Sequence, residues 1–289
     1  MSPEDRPPWV VVGPTSDHVY TFIFLHDLGS SGDMFGQEFL KTSRCSDGRK
    51  FTEIFPGAKF IFPTAQPGHS SARNRDNLTQ WFDIVSLDDP WHQESKQIKG
   101  LADSCEEIHS LVKEEAQKVP YGNVILGGLG QGSAMALSCL LTLDSPVGGF
   151  IGMSGWLPLQ SNLRRAVESE YKTGREISPS RSDADYCFPG AVVNVVNSYR
   201  DELCVPSFEK STKAKTSIYT PVFLGHGDSD ETTRSYYGEA AFRTLALIGY
   251  EVTWKRYKNQ GHWYKIPDAI DDMVKFIQNE VGWDLMTDS

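Results

Sequence analysis

The sequence predicts an α/β fold, with a mostly parallel central sheet flanked by helices. Two observations carry this. Apolar runs of four to eight residues alternate along the chain with longer segments of helical period, the signature of strands covered by helices. At 123–143 a strand, a Gly-rich turn and an apolar helix follow one another without a gap.

The run YTFIFL at 20–25 reads as a buried strand, followed by a Gly-rich turn, and 59–62 as a second, short one. Over 95–118 the apolar residues Ile98, Leu101, Ala102, Cys105, Ile108, Leu111 and Val112 keep the 3.6-residue spacing of an amphipathic helix. Further strands are expected at 123–126, 147–153, 220–224 and 251–257, and helices at 131–143, 233–248 and 266–280. Pro267 sits in the first turn of the last helix, where a missing N–H costs nothing.

The reading is of a single domain over 1–289 with one interruption. Between 160 and 217 the composition turns polar and mixed, although it holds an apolar island at 188–196. A long insertion between core strands is expected to be a lid, a wall of the binding pocket or a plain surface excursion.

Bulk properties exclude some functions. The formal charge is −10 and basic residues are scattered, so the positive footprint that nucleic acid binding needs is missing. No basic-then-apolar leader opens the sequence, and its longest apolar stretch, near 124–143, is broken by four glycines, so neither a secretory signal nor a membrane span is expected. Five widely spaced cysteines without a C-x-x-C pair read as reduced thiols of a cytoplasmic protein, with Cys187 and Cys204 one conceivable pair. The seven histidines show no H-x-x-x-H or paired Cys/His spacing that is read as a metal site, and no metal or organic cofactor is implied.

The strongest local signal is Gly128-Leu129-Gly130-Gln131-Gly132 between the strand NVILG and the helix SAMALSCLL. It has the frame of the G-x-S-x-G nucleophile elbow of α/β-hydrolases, with Gly130 at the position of the serine. A phosphate-binding loop shares the same outline. Two later segments favour the hydrolase. Asp230 in HGDSD follows the strand TPVFLG, and His262 in QGHW, next to Trp263, lies past the last strand. Nucleophile position, acid and histidine thus fall in the α/β-hydrolase order, each beyond the end of a strand. His26 in LHDLG, after the first buried strand, reads as a structural residue of a turn whose backbone, with that of Gln131, supplies an oxyanion hole.

The segments FLHDLGSSGDMF, KFIFPTAQP, QWFDI, VILGGLGQGSAMAL, GMSGWLPL, LGHGDSDETT and GHWYKIPDAIDDMVKFI together resemble the acyl-protein thioesterase and phospholipase/carboxylesterase family, most closely its fungal members. The resemblance implies an α/β-hydrolase fold and a substrate that is a small-molecule ester or thioester, or an acylated protein. It implies Asp230 as acid, His262 as base and the backbone of Leu28 and Gln131 as oxyanion hole, with Trp81, Phe82, Trp156, Leu157 and Trp263 on the substrate side. Two departures stand out: Asp27 where the family has glycine, and Gly130 itself.

Glycine has no hydroxyl, and Ser133, one helical turn on, is expected to point into the packing. As written, the chain is expected not to form an acyl-enzyme. The chain reads as an inactivated form of a serine esterase or thioesterase, hydrolase or acyltransferase, because the acid, the base, the elbow glycines and Gln131 all still stand. The alternatives are a pseudoenzyme that binds a ligand or partner, and a His262–Asp230 dyad acting on water or a substrate proton.

Overall fold

A computed structural model describes residues 9–172, 190–208 and 216–284. Its centre is a seven-stranded sheet. Strand β1 (Val10–Val12) is antiparallel to β3 (Ala58–Phe62), on whose other side β2 (Tyr20–Leu25) runs parallel. A polar hairpin, β4 (Pro67–Ser70) with β5 (Arg75–Thr79), stands outside the sheet. The sheet continues from β2 through β6 (Val124–Leu129), β7 (Gly149–Met153), β8 (Val222–Gly227) and β9 (Val252–Tyr257), all parallel. Only β1 breaks the parallel rule.

Eight α-helices connect these strands among the described residues: α1 (Gly32–Thr42), α2 (Phe51–Ile54), α3 (Ile98–Glu115), α4 (Gln131–Thr142), α5 (Gln160–Lys172), α6 (Gly190–Glu202), α7 (Ser235–Ile248) and α8 (Asp268–Phe276). They split the apolar interior into two halves, one on each face of the sheet, as a parallel sheet requires. One half joins the inner faces of α3, α4, α5, α6 and α7 (Leu101, Ile108, Leu140, Leu163, Val195, Tyr199, Leu245). The other is rich in aromatic side chains from β2, α1, α2 and α8, such as Phe22, Phe39, Phe51 and Phe276. There Phe22 stacks on Phe60 with centroids 4.9 Å apart, a cross-strand pair set by the β2–β3 register.

The predicted elements recur with shifted ends. Strand β6 runs on to Leu129 and β8 to Gly227, past the ends expected from the apolar runs. The last helix ends at Phe276, and a π-helical turn, Ile277–Val281, continues it. Within 160–217 the described parts are helical: α5 buries Leu163 and Val167, and the apolar island forms α6, which buries Val192, Val195, Val196 and Tyr199. Cys45, Cys105, Cys139 and Cys204 are free thiols, while Cys187 lies outside the described residues. No helix among the described residues is long and apolar enough to cross a membrane.

Candidate active site

The site forms at the C-terminal edge of the parallel strands, where the loops after β2, β6, β8 and β9 converge. Pairing of Leu25 with Gly128 sets the end of β2 beside the turn after β6. Backbone bonds from Asp228 N–H to Tyr257 O (3.0 Å) and from Ser229 N–H to Gln260 O (3.0 Å) zip the loop after β8 to the loop after β9. That zip delivers Asp230 to His262.

Gly130 is the hinge between β6 and α4, with φ +55° and ψ −121°. Positive φ is strained for any side chain, so a serine here would carry backbone strain and glycine does not. Gly132 answers a different constraint: a Cβ there would lie 2.2 Å from Leu25 O and 2.4 Å from His26 O, so only glycine lets α4 start this close to β2.

The acid and the histidine are joined. His262 Nδ1–H donates to Asp230 Oδ2 at 2.8 Å, and Asp230 Oδ1 accepts the backbone N–H groups of Thr232 (2.9 Å) and Thr233 (2.8 Å). His226 Nε2 lies 3.2 Å from the same carboxylate. The Asp230 side chain is fully buried, which alone pushes its carboxyl up. The hydrogen bonds from His226 and His262 outweigh burial and hold it well below the usual carboxylate range.

The position of the missing serine is filled by a residue outside the expected set. Asp27 Oδ1 accepts the Gln131 N–H at 2.7 Å, and its Oδ2 accepts from His262 Nε2 at 3.0 Å. A Cβ built on Gly130 would lie 2.0 Å from Asp27 Oδ1, 2.4 Å from Asp27 Cγ and 2.9 Å from His262 Nε2. The carboxylate therefore occupies the volume of a serine side chain and takes the N–H expected to hold an oxyanion.

His262 lies between two carboxylates. Burial lowers its pKa, but the hydrogen bonds to Asp230 and Asp27 outweigh this and raise it to about 10. The ring is an imidazolium at neutral pH, donating from both nitrogens. Elsewhere, the buried Glu115 at the end of α3 pairs with Lys59 of β3 and with the more exposed Lys118.

The turn after β2 is pinned as the sequence suggests. His26 Nε2 accepts the Ala65 N–H at 3.0 Å and Nδ1–H donates to Asp27 O at 2.7 Å, while burial lowers its pKa to about 4, so it stays neutral. Leu28, partly buried, follows Asp27 in this turn, and Gly29 N–H donates to Thr79 O at 2.8 Å.

Trp81, Phe82, Trp156 and Leu157 are all buried. Trp81 and Phe82 bind the two halves of the site together. Trp81 Nε1–H donates to His26 O (2.8 Å), the Trp81 N–H donates to Gln131 Oε1 (2.9 Å), and Gln131 Nε2–H donates to Phe82 O (2.8 Å). Trp156 packs edge-on against Phe82 with centroids 6.0 Å apart. Trp263 sits apart from this group, packing on Phe35 over the aromatic half of the core. Ser133 is buried with its hydroxyl unpartnered, directed to the packing between α4 and the sheet near Gly152 and Gly155.

Asp27 is expected from the sequence to alter the pocket mouth or the oxyanion turn, and it does engage that turn's N–H partner, Gln131, but its contact with His262 is not foreseen. Its sequence signal was present, as the change from His-Gly to His-Asp after β2. Nothing local states that its carboxylate reaches a backbone amide 104 residues away.

Comparison with known proteins identifies relatives of the chain. The family model described as phospholipase/carboxylesterase matches residues 8–178. The acyl-protein thioesterase 1 of Gibberella zeae is 27% identical over 276 residues, spanning 94% of this chain and 95% of its own. The acyl-protein thioesterase 1 of Saccharomyces cerevisiae is 25% identical over 269 residues, spanning 91% and 93%. Among solved structures, the Zea mays acyl-protein thioesterase 2 superposes with a TM-score of 0.65 at 21% identity, covering 95% of this chain and 99% of that one.

Proposed function

The chain belongs to the phospholipase/carboxylesterase family, and we propose that it binds an ester or thioester without serine acylation. It takes a carboxylic ester or thioester, free or carried on an acylated protein, to the cleft at Asp27, Gln131 and His262. It does not form an acyl-enzyme at position 130.

One observation carries the proposal. The Asp27 carboxylate lies where a serine side chain at 130 would stand, bonded to the Gln131 N–H and to His262. Acylation needs a hydroxyl beside a neutral histidine and an N–H free to meet the developing oxyanion. The chain has neither the hydroxyl nor the free N–H of Gln131, and its histidine carries a proton on each nitrogen. The protonated ring also argues against a His262–Asp230 dyad that deprotonates water at neutral pH, since its base is already occupied.

Asp27 further distinguishes an inactivated serine enzyme from a natural non-acylating one. A serine simply removed leaves a socket. Here the socket is filled by a carboxylate bonded to the Gln131 N–H and to His262, which favours Asp27 and Gly130 as a pair.

The test offers the purified chain a short aryl ester, an S-acyl peptide thioester and a fluorophosphonate. Expected are no label, no acyl adduct by intact mass, and hydrolysis slower by about 10⁶-fold than that of a serine-bearing relative. A non-hydrolysable thioether analogue of the peptide is expected to bind in calorimetry. An acyl adduct on any residue would overturn the proposal, and so would failure of every ester and thioester analogue to bind.

A further inference from the structure

The packing of α3 on α4 gathers three soft-metal ligands that the site at Asp27 does not use. Cys105 and His109 lie four residues apart on α3, so both face the same neighbour. That neighbour is α4, which contributes Cys139. Cys105 and Cys139 are fully buried with their sulfurs 3.7 Å apart. His109 Nε2 lies 3.0 Å from Cys139 O and 3.1 Å from Thr142 Oγ1, which is itself 3.8 Å from Cys105 Sγ. The two sulfurs and a ring nitrogen of His109 all fall within 4.8 Å of one another.

We propose that Cys105, His109 and Cys139 bind a soft divalent metal ion, zinc(II) being the best match. Two metal–sulfur bonds of about 2.3 Å at the tetrahedral angle set their sulfurs about 3.8 Å apart. The pair already stands at 3.7 Å. A nitrogen ligand at about 2.0 Å completes the face some 3.5 Å from each sulfur, and the three ligand atoms already lie within 4.8 Å of one another. Thr142 Oγ1 or a water takes the fourth position.

Charge supports the same ion. Two thiolates and one dication sum to zero, so a fully buried site carries no net charge, and the ion replaces the two protons that the thiols release. Both S–H bonds break and their protons pass to solvent, two metal–sulfur bonds form, and neutral His109, which donates Nε2–H to Cys139 O, carries its proton on Nδ1 instead as Nε2 takes the metal. Thiolate and imidazole ligands select against magnesium and calcium. His109 is only partly buried, which places an entry path at the rim. The site joins α3 to the helix whose first residues include Gln131 and Gly132, and so acts as a structural clamp behind the cleft.

The experiment uses the full chain, stripped with a chelator and titrated with Co²⁺, whose thiolate complexes give an intense near-ultraviolet charge-transfer band. Expected are one Co²⁺ per chain, its displacement by Zn²⁺, and a Zn²⁺-dependent rise in Tm. Cys139→Ala and Cys105→Ala are expected to weaken binding by at least roughly tenfold, more than loss of an outer-shell partner typically does at the low end. His109→Gln, at a partly exposed position, keeps the metal-free fold and loses the Zn²⁺-dependent rise. A joint Cys45→Ser, Cys187→Ser and Cys204→Ser variant is expected to bind as the parent does. Absence of the charge-transfer band in the parent, or a band that survives in Cys139→Ala and disappears in the joint variant, overturns the proposal.

Discussion

Restoring the serine alone is expected to fail, and the geometry says by how much. In Gly130→Ser, the new Cβ falls 2.0 Å from Asp27 Oδ1, so the carboxylate must swing out and lose its bonds to the Gln131 N–H and His262. Bonds to a charged group contribute about 1.5–3 kcal/mol each. Placing a side chain at φ +55° and ψ −121° adds about 1–3 kcal/mol of backbone strain. Together, Gly130→Ser is expected to destabilise the chain by roughly 4–9 kcal/mol while Asp27 is present. In the double variant Asp27→Gly with Gly130→Ser the clash is gone, and the serine's own cost falls to the strain of about 1–3 kcal/mol. Denaturant unfolding of both single variants, the double variant and the parent gives the coupling energy as a mutant cycle. Short-ester hydrolysis and fluorophosphonate labelling are expected in the double variant and not in Gly130→Ser. Equal labelling of the single and double variants, or additive stabilities, would refute the pairing of Asp27 with Gly130.

The ion-pair array predicts a pH dependence. The pKa of His262 is raised from 6.5 to about 10, so its contribution to stability is complete below 6.5 and is lost as pH rises towards 10. It amounts to a few kcal/mol at most, on the order of 3–5. The parent is therefore expected to lose more stability between pH 7 and 10 than His262→Gln does, and parallel curves would contradict this. Asp27→Asn removes one of the two carboxylates, and an NMR titration is expected to find the His262 pKa lower by about 1–3 units. Gly132→Ala drives a methyl into Leu25 O and is expected to cost at least about 3 kcal/mol in thermal or denaturant unfolding. Asp27→Gly is expected to bind an alkylphosphonate at least roughly 100-fold more tightly than the parent, because a like charge a few ångströms away is removed. Calorimetry reads this directly, and equal affinities would mean that Asp27 leaves the cleft when ligand enters.

The elements that define the fold were legible where hydrophobic period alone decides them. Strand β2 keeps its expected ends, and the helix expected at 131–143 stops one residue earlier. Elements fixed by long-range pairing were not. The valines of β1 find their place only against Phe60, Ile61 and Phe62, and the polar residues of β5 have no apolar alternation to announce a strand. Asp230 and His262 were legible because position beyond a strand end is a sequence property. The route of the Asp27 carboxylate was not, because it depends on how closely the loop after β2 approaches α4. The cluster at Cys105 follows the same rule. Cys105 and His109 share one helix face, a spacing the sequence reading passed over, and Cys139 joins them only once α3 and α4 pack.

The chemical consequence of Asp27 lies in timing. The first turn of a helix such as α4 has N–H groups without intrahelical partners and the positive end of the dipole, which together favour negative charge. In serine hydrolysis that charge arrives only as the carbonyl is attacked, and a site that stabilises it then, and not before, lowers the barrier. In this chain a permanent carboxylate already holds the Gln131 N–H. The same donor and the same imidazolium thus stabilise the resting protein instead of the transition state, which adds to its stability and subtracts from its power to acylate. An ester carbonyl, being neutral, is a poor competitor for an N–H that a carboxylate holds at 2.7 Å. Binding energy for such a ligand must then come from its acyl and leaving groups, and affinity should follow their size more steeply than the polarity of the carbonyl.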